Sequence, residues 1–376
     1  MVRKVQPLRS DPEFLFAPLP PCAARRWRSS AYKYLPKTTV RKRYIDDQKE
    51  NPMNSLTLAP IGATLAVALS ALPVSALAHG LAGKRFFPAT IATDDPFVSD
   101  ELSLPTISSV RTTASGDEPA SRETSISGEF SKRITPEFGI SLGAEHQRIS
   151  PDGQPSIKGF GNVELGFKYQ FYKDEARETL LSAGLGWEVG STGSKAVGAD
   201  SFSTFTPTFF FGKGFGDLPE SVPYLKPLAV TGTLGVAIPG RASTTTMTVD
   251  PDTGGVVSTV EQHPHVLQLG FAIQYSLPYL HSFVKDVGLP APFSRMIPLV
   301  EISLQRPLDR VSDRRTIGTV NPGVVWAGRY VQVGLEAVVP MNSRSGHGVG
   351  VQAQLHFFLD DLFPRGIGRP LPESQR

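Results

Sequence analysis

Residues Asn162 to Tyr172 read NVELGFKYQFY. Val163, Leu165, Phe167, Tyr169 and Phe171 alternate with Glu164, Gly166, Lys168 and Gln170. A β-strand turns successive side chains to opposite faces, so this run has one apolar face and one polar or small face. The same rhythm returns in TLLSAGLGWEVG (179–190), PLAVTGTLGVAIPG (227–240), VLQLGFAIQYS (266–276), YVQVGLEAVV (330–339) and GVGVQAQLHFFL (348–359). A chain patterned in twos over such lengths buries its apolar faces as sheet, and the pattern does not suit a helical fold.

Followed along the chain, the alternation predicts twelve strands. They fall near 103–111, 122–134, 137–149, 159–172, 178–190, 202–214, 227–238, 265–276, 296–306, 315–327, 329–340 and 347–359. Most are longer than the roughly five or six residues usual in a soluble protein. Such length suits a tilted strand that crosses a bilayer with some overhang. An even count leaves both ends of the barrel on one side. On that side lie tight turns at Thr135-Pro136, 173–177 and Gly328, and two longer links, 215–226 and 277–295. The second link contains PYLHSFVKDVG, which reads as a short helix. Loops near 112–121, 150–158, 191–201, 239–264, 307–314 and 341–346 fall on the other side and are rich in Gly, Ser and Asp. Short turns on one side and longer loops on the other are the habit of outer-membrane barrels.

The competing architecture is a soluble β-sandwich. Its outer faces would carry many Lys, Asp and Glu, whereas the polar faces here are mostly Gly, Ser, Thr and Gln. Aromatic residues also gather near strand ends, at Phe171-Tyr172, 209–211, Trp326 and Phe357-Phe358, as an interfacial girdle requires. The fold class expected is therefore all-β: a closed antiparallel transmembrane β-barrel of about 12 strands.

Ahead of the strands stands an export signal. Met53 to Ala78 is uncharged and apolar and ends in Ala76-Leu77-Ala78, small residues where signal peptidase needs them, so cleavage is expected before His79. The segment lacks a basic start, and the nearest cluster is Arg41-Lys42-Arg43. Translation is accordingly expected to begin near Val40 or Met53, with 1–52 a disordered or spurious extension. A membrane anchor is the alternative, but the run is Ala-rich, barely long enough and carries Pro60 and Pro73. A mitochondrial-type presequence is a further one.

Charge divides at the same place. Residues 1–52 hold 12 Lys/Arg against 5 Asp/Glu, and from His79 onward 26 basic residues stand against 30 acidic ones. The overall charge of +3 therefore belongs to the leader, and no nucleic-acid partner is called for. The only cysteine, Cys22, also lies in the leader, so the body has neither disulfides nor thiolate ligands.

The layout expected after cleavage is an N-terminal segment at 79–101, a barrel over 102–360 and a tail at 361–376. The N-terminal segment, with Arg85, Phe86, Phe87 and Asp94-Asp95, either enters the lumen as a plug or lies in the periplasm. The polar face carries Glu129, Arg133, Glu145, Glu164, Lys168, Glu188, Glu301, Glu336, Gln352, Gln354 and His356, joined by Gln170, Gln305 and Gln332. Such side chains cannot face lipid cheaply, so they point inward. They either line a conduit that selects solutes or form a salt-bridge and amide network that fills the lumen. Loop 239–264, the longest, is the candidate for gating or for folding inward.

Other chemistry is thinly represented. An N-terminal His79 would offer an amine and an imidazole for copper in a secreted β protein, but His146, His263, His265, His281, His347 and His356 are scattered. QHPH at 262–265 has His-x-His spacing with Pro264 between, and an inert pair at a loop end is the simpler reading. No Gly-x-Ser-x-Gly, His-Glu-x-x-His or phosphate loop is present, so neither enzyme activity nor a cofactor is expected.

The opening HGLAGKRFFPATIATDDPFVSDELSLP (79–105), the strand TVNPGVVWAG (319–328) and the closing LHFFLDDLFP (355–364) resemble a group of proteobacterial outer-membrane proteins. That group is similar to barrels associated with the meta pathway of phenol degradation and, more distantly, to channels for fatty acids and aromatic hydrocarbons. The resemblance implies a place in the outer membrane of a Gram-negative bacterium and transport of small organic molecules. It supplies no functional residue. The sequence departs from many such barrels in continuing well past its last strand. The expected function is passive passage of a small solute, apolar or aromatic if the resemblance holds. A structural or surface-interaction barrel with a filled lumen and the copper-binding protein are the alternatives. The expected partners are outer-membrane lipid, the outer-membrane assembly machinery and the solute, with the chain a monomer.

Overall fold

A computed structural model describes residues 80–112, 114, 119–249 and 256–368. The expectations for the extension, the signal segment, Ala76, Ala78, His79 and the last eight residues of the tail lie outside the described residues. Twelve long strands form the wall: β1 (Glu101–Thr112), β2 (Ser121–Arg133), β3 (Phe138–Pro151), β4 (Val163–Asp174), β5 (Thr179–Val189) and β6 (Thr204–Gly214). The wall continues with β7 (Leu228–Pro239), β8 (Val266–Tyr275), β9 (Met296–Pro307), β10 (Ile317–Ala327), β11 (Val331–Pro340) and β12 (Gly350–Phe358). Each pairs antiparallel with the next, and β12 pairs back onto β1 from Phe358↔Glu101 to Val351↔Ser109, which closes the barrel.

Alternation decides the faces. Ile126, Leu142, Tyr169, Phe171, Leu234 and Leu335 are among the large apolar residues left exposed on the outer surface. Glu301, Gln332, Glu336, Gln352 and His356 are fully buried on the inner one. A continuous apolar outside around a polar inside is stable only in an apolar solvent. No helix among the described residues is long and apolar enough to cross a membrane, so any crossing is made by strands.

Every one of the twelve expected strands is present, with three departures in detail. The expected strand 159–172 is split into Ile157–Phe160 and β4. A bulge at Gly161-Asn162 divides them, and it turns Asn162 inward, where its amide donates to Glu188 Oε1 (2.9 Å) and accepts from the Gly193 N–H (2.9 Å). The second departure is at 239–264, expected to be loop. Ser243–Val249 and Val256–Gln262 pair as a hairpin that stands out from the barrel, with Met247 73% and Val256 68% exposed, and it does not fold into the lumen. Its TTT and VVST runs show no contrast between faces, because both faces meet water. The third is in the closing seam, where the register of β1 shifts between Ser103 and Thr106 against β12 and likewise against β2, around Pro105, which has no N–H to offer the ladder.

The link 277–295 holds a turn of helix at Leu277–Tyr279 that runs on through Leu280–Val284, as its sequence suggested. After β12 the chain makes one more helical turn, Leu359–Leu362. Both ends of the barrel and these links share one rim, called the near rim below.

Candidate solute passage

Residues 80–100 occupy the inside of the barrel. They start as a two-strand hairpin at the near rim, Leu81–Ala82 against Arg85–Phe86. Gly83 makes its turn with φ +61°, and a Cβ there would lie 2.1 Å from the Glu175 carbonyl oxygen, so only glycine fits. Phe86 packs edge-on against Phe358 (6.2 Å between centroids), in a cluster with Ile297, Leu299 and Val325. Phe87 meets Phe97 and packs with Leu180 and Ala229. Burying each phenylalanine contributes roughly 1.5–3 kcal/mol.

Arg85 is the polar anchor of this end and is fully buried. Its Nε donates to Glu178 Oε2 (3.0 Å), and its other nitrogens donate to the carbonyls of Pro227 (2.9 Å) and Lys226. The guanidinium also stacks 3.9 Å from the centre of the Tyr279 ring. Burial pulls its pKa below the ordinary arginine value, and the Glu178 carboxylate opposes that shift. Burial likewise pushes the Tyr279 hydroxyl up to about 12.

From there the segment climbs along one side of the lumen. Glu301 on β9 accepts three backbone hydrogen bonds, from Ile91 (2.8 Å), Ala92 (3.0 Å) and Thr93 (2.5 Å). Beside it, Gln352 on β12 donates to Glu336 on β11 (2.6 Å), and Gln332 donates to the Ala89 carbonyl (2.6 Å). Lower on the same side, Gln354 donates to Thr106 Oγ1 (3.2 Å) and His356 bonds Ser103 Oγ (2.9 Å) and lies 3.3 Å from Glu101. This side of the lumen is solid.

The opposite side is not. Between the internal segment and the inner faces of β2–β9 runs a cavity of about 270 Å³. Its wall is built from small residues: Ser131, Gly139, Ser141, Gly143, Gly166, Gly186, Thr204, Thr206 and Thr208. Glu164 and Glu188 line it toward the far rim, and Glu129, Glu101 and Ser99 toward the near one. Lys168 stands midway. Its Nζ donates to Asp94 Oδ1 (3.1 Å) and to the Asp95 carbonyl (2.7 Å) and sits 4.7 Å from the Phe210 ring centre.

The sequence-selected residues thus separate into groups. Glu129, Glu164, Lys168 and Glu188 meet at the cavity. Glu301, Glu336, Gln352, Gln354 and His356 form the packed side. Glu145 stands apart and accepts from Gln147 on its own strand (2.5 Å). Arg133 lies at the near rim beside Asp100 (3.5 Å) and Asp360 (3.7 Å). Sequence reasoning did not select Glu178, Asp100, Asn162 or Thr204. Glu178 stands just before β5 and Asp100 just before β1, at the ends of the alternating runs. Of the two histidines in QHPH, His263 is buried against Phe202 and bonded to Thr244 (2.8 Å), while His265 pairs with Asp309 (2.7 Å). They do not converge. Among the described residues no group of three or more His, Cys, Asp or Glu is placed to hold a metal ion.

No family model and no curated protein matches the chain. Solved barrels do resemble it in fold. An outer membrane channel from Pseudomonas putida F1 matches with a TM-score of 0.47 and 11% identity over 73% of this chain and 99% of that one. The NanC porin matches at 0.38 and 11%, and the KdgM porin at 0.36 and 12%, each over 68% of this chain and 98% of the other.

Proposed function

We propose that the chain is an outer-membrane channel for passive passage of a small solute, with residues 80–100 as an internal plug. The near rim then faces the periplasm, since both barrel ends lie there. The apolar outer wall supports the membrane setting, and an export signal before His79 would deliver the protein to it. The observation that carries the channel reading is the cavity of about 270 Å³ left between the plug and the wall of β2–β9. A barrel evolved only as a plugged structure would gain from closing that space, because void-lining atoms lose their packing partners. Hydroxyls, glycines and carboxylates line it beside Phe97, Val98 and Phe210, a mixed surface that suits a small solute with both polar and apolar parts.

The second reading, a structural barrel with a filled lumen, draws on the packed side, where Glu301 and Gln332 tie plug to wall. The copper-binding reading turns on His79, outside the described residues. Purified protein in planar bilayers separates the first two. Discrete conductance steps are expected, small because the plug narrows the lumen. A silent bilayer, with the protein shown to be inserted, overturns the channel and leaves the structural barrel.

A further inference from the structure

We propose that the outer face of the far rim holds a docking site for a phosphate-bearing lipid, the phosphorylated glycolipid of the outer leaflet. The inference takes from the proposed function only the membrane setting, with the near rim in the periplasm, and does not need the cavity to conduct. Four cationic side chains stand at this rim on neighbouring strands. Alternation puts Arg111 on the face of Ile107, Arg122 on that of Ile126, Arg148 on that of Leu142 and Lys158 on that of Phe160, and all of these residues are exposed. They therefore point away from the lumen. Arg111 on β1 lies directly across from Arg122 on β2, and Arg148 on β3 directly across from Lys158 in the short strand Ile157–Phe160. Arg122 faces Ser150 and Arg148 faces Thr124, so the two pairs are diagonal neighbours, about 7–8 Å apart and within reach of long side chains.

Like charges directly opposite on adjacent strands repel, and here two such pairs stand side by side. Little on the protein offsets them. Arg111 pairs with Asp152 (2.8 Å), both side chains being more than half exposed. Arg122 donates to Ser109 Oγ (3.4 Å) and Arg148 to Ser156 Oγ (3.3 Å), which are neutral hydroxyls. Among the described residues no carboxylate is paired with Arg122, Arg148 or Lys158. The row suits an anion from outside the chain, and the arginine fork fits phosphate oxygens two at a time. A second observation says what carries the phosphate. The row borders the apolar outer wall. Phe160 is two residues from Lys158, about 7 Å along the strand, and packs edge-on against His146 (5.1 Å between centroids). Ile107, Ile126 and Leu142 continue the exposed apolar surface toward the middle of the wall. A free phosphate uses only the cations. An amphiphile uses both surfaces, with its phosphates on the row and its acyl chains along the wall.

The test is native mass spectrometry of the full-length protein in a neutral detergent, with bis-phosphorylated lipid A as the probe. Wild-type protein should retain lipid A and release its dephosphorylated form. Arg122→Gln/Arg148→Gln should lower retention about tenfold, as expected for two cations facing an anionic headgroup. Without lipid this variant should melt no lower than wild type, because it removes a repulsion. Lys285→Gln/Arg329→Gln takes the same charge from the near rim and should leave retention unchanged. Equal retention of the dephosphorylated lipid, or an Arg122→Gln/Arg148→Gln protein that holds lipid A as well as wild type, overturns the inference. So does an equal loss in the two variants, which would trace binding to overall charge. Inorganic pyrophosphate that displaces lipid A at equal concentration would reduce the row to an anion patch and overturn the lipid as its occupant. A silent bilayer would overturn the channel and leave the lipid site standing.

Discussion

The two sides of the lumen are built from the same alternating strands, yet one is solid and the other hollow. The difference lies in the size of the inward residues. On β9–β12 the inward positions carry Glu301, Gln332, Glu336, Gln352 and Gln354, long side chains of which Glu301 and Gln332 reach the plug backbone and the others bond to neighbours in the wall. On β3–β5 the matching positions carry Gly143, Gly166 and Gly186, which reach nothing. A barrel of this size is too wide for side chains alone to fill and needs an internal segment to do so. The plug is tied to the long-side-chain half through Glu301 and Gln332 and to the other half through Lys168 and Ser182, and the cavity is what remains.

Removing the acceptor on the packed side should have the largest effect. Glu301→Ala strands the N–H groups of Ile91, Ala92 and Thr93, and each buried donor left unpaired costs about 1–3 kcal/mol. Residues 86–95 should become cleavable by proteinase K in detergent, and the apparent melting temperature should fall. Bilayer conductance should rise as the plug loosens. Glu301→Gln retains one carbonyl oxygen and should fall between. A Glu301→Ala protein that stays protected would show that apolar packing alone holds the plug.

Next in size is the anchor at the near rim. Arg85→Met leaves Glu178 buried without its cation, and breaking such a pair costs about 3–5 kcal/mol. The hairpin at 81–86 should detach and channel openings should lengthen. Adding Glu178→Gln should restore part of the loss, because the stranded charge is then gone. If the single and double variants behave alike, the charge pair is not what seats the hairpin.

The hollow side is tested by filling it. A Cβ on Gly143 would meet Glu164 Cβ at 3.5 Å, an ordinary contact, so the backbone there accepts a side chain that extends into the cavity. Gly143→Leu should fold normally and project into the cavity of about 270 Å³. Conductance should drop several-fold with little change in melting. Undiminished current would place the conducting path elsewhere.

How far the sequence reveals this depends on what each residue's signal is. Alternation from Val163 to Phe171 reveals a strand and its inward set, because a period of two is local. Since each strand pairs with the next, even the contrast between Gly143-Gly166-Gly186 and Gln332-Glu336-Gln352 is latent in the order of strands. Docking of Ile91 to Glu301 is not, because it joins residues some two hundred positions apart by backbone N–H groups that carry no residue-type signature. Arg85 and Asp94 are visible as charges in an aperiodic segment, but nothing local says whether that segment lies inside or outside. The hairpin at 243–262 failed to register for the opposite reason. It has strand-forming residues but no buried face to impose a pattern.

The smallest expected effect comes from the near rim below the packed side. Asp360, in the turn after β12, is largely buried beside Arg133 and Asp100. Burial pushes its pKa up from 3.8 to about 7, with Asp100 and Asp361 adding to the rise and Arg133 opposing it. A carboxyl whose folded pKa lies above its unfolded value stabilises fully below the unfolded one and loses that contribution as pH climbs through the folded one. The turn Leu359–Leu362 should therefore sit firmly at pH 5 and loosen toward pH 8. Hydrogen-exchange protection factors at these residues, which remove the intrinsic rise of exchange with pH, read this when compared with the same pH pair for Asp360→Asn. The variant should show no pH step, whereas an identical step in both would trace the loosening to another group. The plug contacts at Glu301 should be unaffected in either protein, because the tie between plug and wall is made higher in the lumen than this rim.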